Sequence, residues 1–312
     1  VSAAIRNTPQ ASWPLDVPSS HRGEGTIVCR YEDISQDGRI GLRPLSHGIG
    51  AAVWRSRLLG HPSYRLLQEA GIVPILSRVV VSGGGGPISV GAVVSAEGTF
   101  DLTRALDERG EARLRFDMWA RMQAPAGRTF GPPPPNHGVA IPLGSMYAEH
   151  VLTRLFAPAA ERKVEALPVG VDLIAREGRW SAPQELLAPP EGCVFVGDEV
   201  LDPTVTVFGL GHTDSNQHVN SLVYPLLLEE AALRLGGGGL GLGVLAPVER
   251  FVDYGEFRYR KPFFAGQACQ ITLRPYRRTE GEARFGVVAR FAPPKDADPL
   301  RAHVYAHLEL VP

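Results

Sequence analysis

Lysine is nearly missing from this chain. It occurs at 163, 261 and 295, so 29 of the 32 basic residues are arginine. With 35 Gly and 27 Pro, that bias reads as the mark of a GC-rich genome rather than of an arginine-based binding surface. Cysteine is as rare: Cys29, Cys193 and Cys269 lie far apart, with no C-x-x-C pair and no histidine at metal-ligand spacing. This argues against a disulfide-stapled scaffold and against a metal centre, and the expected compartment is a reducing cytoplasm. No apolar run reaches the roughly 18 residues of a membrane span before charge or glycine interrupts it. The opening VSAAIRNTPQASWPLD has no basic segment followed by an apolar core, so no signal peptide is expected. Neither charge sign dominates. Net charge is −1 and the pI about 6.8, which removes bulk attraction to nucleic acid or to an anionic membrane. G-x-S-x-G, Walker and H-E-x-x-H patterns are absent too. GGGGLG at 236–241 fits G-x-G-x-x-G, but it follows a helix and precedes a strand, the reverse of the dinucleotide-binding context.

What remains is a chain of 312 residues, 44% hydrophobic and 21% charged, long enough for two domains. After a polar lead-in (1–24), GTIVCRYEDI reads as a strand. Leu42 to about Gly71 is mostly helical in pattern, though Gly48, Gly50, Gly60 and Pro62 weaken it. VPILSRVVVS, ISVGAVVSA and EARLRFDMWARMQA read as strands. PAGRTFGPPPPNHG (125–138) is the clearest boundary, since consecutive prolines cannot join a helix or a central strand. The stretch 125–198 is therefore expected to be a linker holding one helix, SMYAEHVLTRLFA. From 199 the pattern restarts: strand TVTVFGL, a polar turn, a helix to Leu235, a glycine turn, then strands near 248–261, 267–276, 282–291 and 301–311.

Strand, turn, helix and strands thus occur twice, in 25–124 and in 199–312. Sliding the halves by 180 positions superposes their Ala-Ala pairs and sets Ile34, Gln36 and Gly38 against Asp214, Asn216 and His218. In this register the first copy lacks the reactive groups. The expected class is α+β, each half a long helix against a curved, mostly antiparallel sheet, paired as a pseudodimer within one chain.

The stretch GHTDSNQHVN (211–220) carries the chemistry. Asp214, Asn216 and His218 are spaced i, i+2, i+4, which in an extended segment directs all three to one side. Asp214 is a candidate base, Asn216 a group that orients water or substrate, and His218 a proton carrier. Asn220 and Ser221 are N-cap types, placing helix-start N–H groups where a carbonyl oxygen would gain charge. The competing reading is an ordinary Asx-turn and helix cap. Glu229 and Glu230 on the helix, and Glu256 in GEFRYR, are possible further carboxylates; Glu256 is otherwise an ion-pair partner of Arg258 or Arg260. Arg258, Arg260 and Lys261 are candidate contacts for an anionic group, the competing reading being an exposed strand face. His47, His303 and His307 read as surface or core residues, and Cys269 as a strand residue without an activating neighbour.

DSNQHVNSLVY resembles the D-x-N-x-H-V-N-x-x-x-Y signature of the acyl-acyl-carrier-protein thioesterases, and EFRYRKPFFAGQ resembles the strand and turn that follow their second central helix. DGRIGLRPL, ILSRVVV and DMWARM extend the resemblance into the first half. It implies a double hot-dog fold with Asp214, Asn216 and His218 as the catalytic trio. It also implies hydrolysis of a fatty or polyketide-like acyl chain from acyl carrier protein or coenzyme A, without metal or other cofactor, in a monomer or homodimer, with Arg258, Arg260 and Lys261 as candidate contacts for the carrier or its pantetheine. One departure stands out. Where plant-type members follow Tyr-Arg-Arg with Glu-Cys, this chain follows Tyr259, Arg260 and Lys261 with Pro262 and Phe263. That departure keeps open another acyl-thioester reaction, such as dehydration, cyclisation or transfer, and a non-catalytic acyl-binding protein.

Overall fold

The computed structural model describes residues 13–14, 16–35, 37–107, 110–237, 251–279, 285–296 and 298–311. The chain divides into two units, Val1–Ala182 and Pro183–Pro312. In the first, strand β1 (Arg22–Val28) leads to a broken helical layer: α1 (Leu42–Leu45), α2 (His47–Ile49), a wider-wound stretch Gly50–Leu58 and α3 (Pro62–Glu69). Strands β2 (Val73–Ser82), β3 (Val93–Leu106), β4 (Ala112–Pro125) and β5 (Ala140–Thr153) follow, and the short β6 (Arg176–Arg179) comes later. The sheet order is β1-β3-β4-β5-β2, every neighbour antiparallel, with β6 continuing the β1 edge along β3 in parallel.

The helical layer lies on this sheet through small residues. A Cβ on Gly25 would sit 2.6 Å from the Ala51 carbonyl carbon, and one on Gly98 would sit 2.7 Å from Val53 Cγ2. Only glycine leaves room there for such close helix–sheet approach. Ala51, Ala52, Val53 and Leu58 are buried on the helical side; Phe100, Phe116, Met118 and Ala120 form the sheet's side of this core. The segment 42–71, expected to be mostly helical and weakened at its glycines, is thus a chain of short pieces: the winding changes at Gly50, and Gly60 and Pro62 fall at the break before α3.

In the second unit, β7 (Cys193–Phe195) and β8 (Val200–Val207) precede α4 (Val223–Gly237). After it come β9 (Phe251–Tyr259), β10 (Ala268–Arg278), β11 (Phe285–Ala292) and β12 (Val304–Val311). Here β9-β12-β11-β10 is antiparallel throughout, and β8 and β7 run end to end along the other side of β10. With β6 left aside and β7 and β8 counted as one strand, both units have the order first-third-fourth-fifth-second, with the helices between first and second. The glycine turn expected after α4 lies almost wholly outside the described residues.

Two expectations need correction. SMYAEHVL is strand β5, not a helix. Met146, Tyr147, Ala148 and Glu149 are all buried, and a strand covered on both faces loses the period-2 signal that separates it from a helix. It follows that the stretch expected as a linker, 125–198, supplies the fourth strand of the first sheet's order, hydrogen-bonded to β4 on one side and β2 on the other.

Candidate active site

Residues 209–220 form a closed loop whose backbone bonds its own ends. His212 and Thr213 amides donate to the Gly209 and Leu210 carbonyls, at 3.0 and 3.2 Å. Asp214 N–H donates to the His218 carbonyl (3.0 Å), Gln217 N–H to that of Asp214 (2.9 Å), and Asn220 N–H to that of His212 (2.8 Å). Gln217 takes a left-handed conformation, φ 64°, which turns the chain back within four residues. The trio is therefore mounted on a tight turn rather than on an extended segment, and the expected alternation of side chains does not hold. The Asx-turn weighed against function is present as well: Asn216 N–H donates to Asp214 Oδ1 at 2.9 Å.

That bond orients the carboxylate and occupies one oxygen. Oδ2 has no partner among the described residues, and the side chain is half-exposed. Asn216 is exposed. His218 is half-buried, its ring edge-on to Phe264 at 5.1 Å between centroids. Val219 is anchored by its N–H to the Phe263 carbonyl, 2.8 Å. Asn220 caps α4, its Oδ1 taking the Leu222 N–H (2.8 Å) and its carbonyl the Val223 N–H (3.0 Å). Those two donors are thereby used and Pro225 has none, while Ser221 N–H, just before the helix, has no acceptor among the described residues.

One residue here was not singled out from sequence. His212 Nδ1 accepts the Gly209 N–H at 3.0 Å while its carbonyl holds Asn220, so its ring ties the entrance of the loop together. The signal was available in the first unit. There Arg30, Asp33 and Gly41 bond as Gly209, His212 and Asn220 do, with Arg30 N–H donating to Asp33 Oδ2 (2.9 Å) and Gly41 N–H to the Asp33 carbonyl (3.0 Å). Ser35 N–H to Arg39 carbonyl (2.8 Å) repeats Asp214 to His218, and Gly38, φ 88°, repeats Gln217. The hydrogen bonds match at a separation of 179, not 180. Ser35, Asp37 and Arg39 therefore stand where the second unit has Asp214, Asn216 and His218; Gln36 lies outside the described residues.

No protein-family model and no curated protein matches the chain. Solved structures do. A candidate oleoyl thioesterase from Lactobacillus plantarum is similar over 93% of this chain and 95% of its own, at TM-score 0.56 and 12% identity. An acyl-ACP thioesterase from Bacteroides thetaiotaomicron covers 93% and 98%, at 0.54 and 12%. The 12:0-ACP thioesterase from Umbellularia californica covers 96% and 100%, at 0.51 and 13%. The chain shares their fold.

Within that fold the remaining candidates separate. Phe263 is fully buried, packed on Phe208 (5.2 Å) and stacked on His303 (4.2 Å); it and Pro262 bring neither carboxylate nor thiol to the loop. Glu256 does not replace them. It is 6% exposed and its Oε1 takes the Arg258 Nε at 2.8 Å, while Oε2 takes the Tyr254 hydroxyl at 3.2 Å. Arg258 is equally buried, also reaching Glu185 at 3.4 Å, so it is not presented to a carrier. Arg260 and Lys261 are exposed, and Arg260 also donates to the Arg301 carbonyl at 3.1 Å. Glu230 is exposed and 3.8 Å from Arg234, a surface pair; Glu229 is half-buried. His307 is buried, its Nε2 2.7 Å from the Leu186 carbonyl. Burial pushes the Cys269 thiol up to about 12 and that of Cys29 to about 11, which keeps both protonated. No group of three metal-ligating side chains occurs among the described residues.

Proposed function

We propose that the protein is an acyl thioesterase acting on acyl chains borne by acyl carrier protein or coenzyme A, and that its two units are tandem hot-dog units of which the second carries the chemistry. The observation that carries this reading is the Asp214 carboxylate, oriented through one oxygen by Asn216 N–H and open at the other, in a turn that leads into α4 of a thioesterase fold. In the proposed reaction Oδ2 takes a proton from water as the oxygen bonds to the thioester carbon. Ser221 N–H and the Asn216 side-chain carboxamide are the donors for the resulting oxyanion, and as the C–S bond breaks the proton held on Oδ2 passes through His218 to the departing thiolate, which restores the carboxylate. The tandem reading rests on the shared strand order and on the hairpin bonds repeated at a separation of 179.

The hydrophobic Phe263, at the position of the family's cysteine, favours a second reading: another acyl-thioester reaction, dehydration, cyclisation or transfer, on the same scaffold. No helix among the described residues is long and apolar enough to cross a membrane, and three unpaired cysteines accord with a reducing compartment. Mass spectrometry of products from a panel of acyl-pantetheine thioesters separates the readings. Free acid is expected; dehydrated, cyclised or transferred products select the second reading, and no product leaves acyl binding alone.

A further inference from the structure

Between Asp37 and Glu69 the chain has no acidic residue, and it has five arginines, at 39, 43, 55, 57 and 65. The general arginine bias does not account for this, because a bias toward arginine over lysine removes no aspartate or glutamate elsewhere: the whole chain carries 33. Over Leu42–Glu69, the helical layer of the first unit, four arginines against Glu69 give a net +3; over α4, Arg234 against Glu229 and Glu230 gives −1. Arg55, Arg57 and Arg65 are exposed and Arg43 half-exposed. Arg65 is paired with Glu69 at 2.9 Å, whereas Arg43, Arg55 and Arg57 form no ion pair among the described residues; Arg57 donates to the Arg22 carbonyl. The field is felt locally. The His47 imidazole is pushed below its usual value first by desolvation and then, against the pull of Asp33, by Arg30, Arg43 and Arg55.

We propose that this helical layer is the docking surface for a small acidic carrier protein that bears the acyl chain on a phosphopantetheine arm. The proposal rests on the acyl-thioester reading above. Unpaired surface cations speed and orient encounter with an anionic partner and cost little to hold in water. A protein partner fits better than a polyanion, because the arginines are spaced singly and the chain as a whole is slightly acidic.

The test is binding of an unacylated acyl carrier protein, by calorimetry at low salt, to the intact protein and to the double variant Arg55→Glu/Arg57→Glu. Both sites are exposed, so the fold should survive, and circular dichroism checks it. The dissociation constant is expected to rise at least about tenfold in the variant, and the wild-type constant to rise with added salt. Unchanged affinity in the folded variant overturns the proposal, as does the absence of carrier binding by the wild type. Tighter, arginine-dependent binding to phosphatidylglycerol vesicles or to an oligonucleotide than to the carrier also overturns it. Hydrolysis of an acyl-N-acetylcysteamine, a substrate with no carrier, reports on the other reading separately. Wild type and variant should cleave it equally; failure of both, with docking intact, sinks hydrolysis and leaves the docking surface standing.

Discussion

The hairpins at 30–41 and 209–220 share their backbone and differ in what they hold. Six hydrogen bonds and one left-handed residue recur at a separation of 179. In the first, the side chains satisfy one another: Asp37 takes the Ser35 hydroxyl at 2.5 Å, the Arg39 N–H at 3.0 Å and the Arg39 guanidinium. In the second, Asp214 has one such bond, and Asn216 and His218 have none among the described residues. One scaffold thus serves two ends. A turn whose polar groups are mutually spent is a staple, while the same turn with groups left over has something to offer a substrate.

The comparison breaks most sharply at its central position. Asp214→Asn keeps the Asx-turn but removes the basicity, and turnover of an acyl thioester is expected to fall roughly 10² to 10⁴-fold with the melting temperature unchanged. Activity that survives in a folded variant would mean that the leftover groups are not the reactive ones. His212→Ala tests the frame rather than the chemistry. Losing the acceptor for Gly209 N–H should let the loop shift, with kcat down about ten- to hundredfold and KM little moved. His212→Asn restores an acceptor at the same reach from the backbone, the role Asp33 has in the first hairpin, and should recover most of the rate; equal loss in both variants would give the imidazole a chemical role instead.

Much of this was legible beforehand, and the misses share a cause. D-x-N-x-H-V-N located the loop, and Asn220, read as an N-cap type, marked the approach to α4, which begins at Val223. The alternation argument failed because it assumed an extended chain, and no residue type announces that Gln217 will adopt φ 64°. The register slipped by one because the halves were matched on an Ala-Ala pair, whereas backbone bonds define equivalence. Strand β5 and Arg258 were misread for one reason. Both lie on sheet faces that sequence periodicity treats as solvated, yet Tyr147 and Glu149 are enclosed with Arg115 and Asp117, and Arg258 lies beside Glu185 of the segment that also reaches His307. Coverage by an irregular segment leaves no periodic trace.

The first hairpin should respond in stability and not in rate. Burial pushes the Asp37 carboxyl up, but the Ser35 hydroxyl, the Arg39 amide and the Arg39 guanidinium outweigh it and hold it below its ordinary value. A carboxylate depressed in the folded state stabilises above its unfolded pKa, about 3.9, and that contribution is lost as pH falls through the folded value. Asp37→Asn is expected to cost about 1–3 kcal/mol at pH 7, to lose less stability than wild type on acidification below about pH 4, and to leave turnover within a few-fold. Denaturant melts at pH 7 and pH 3 measure the first two. A rate loss matching that of Asp214→Asn would erase the distinction between the hairpins.

The smallest effect belongs to the Cys269 thiol, the competing nucleophile to the trio. Cys269 lies in β10, opposite Thr206 of β8, and is 1% exposed. Burial holds the thiol near 12, so at neutral pH essentially none is thiolate, and the thiolate is the nucleophilic form. A cationic neighbour or a base would have to reverse this, and the structure supplies instead Tyr224, whose own phenol is raised by the same burial and next by Cys269. Cys269→Ala removes the sulfur without burying a new hydroxyl, at a packing cost of about 1 kcal/mol. Turnover within twofold of wild type, and no protection of Cys269 by substrate against a thiol reagent under denaturant-free conditions, is the expected result. A dead Cys269→Ala beside an active Asp214→Asn would move the chemistry from the turn to the sheet.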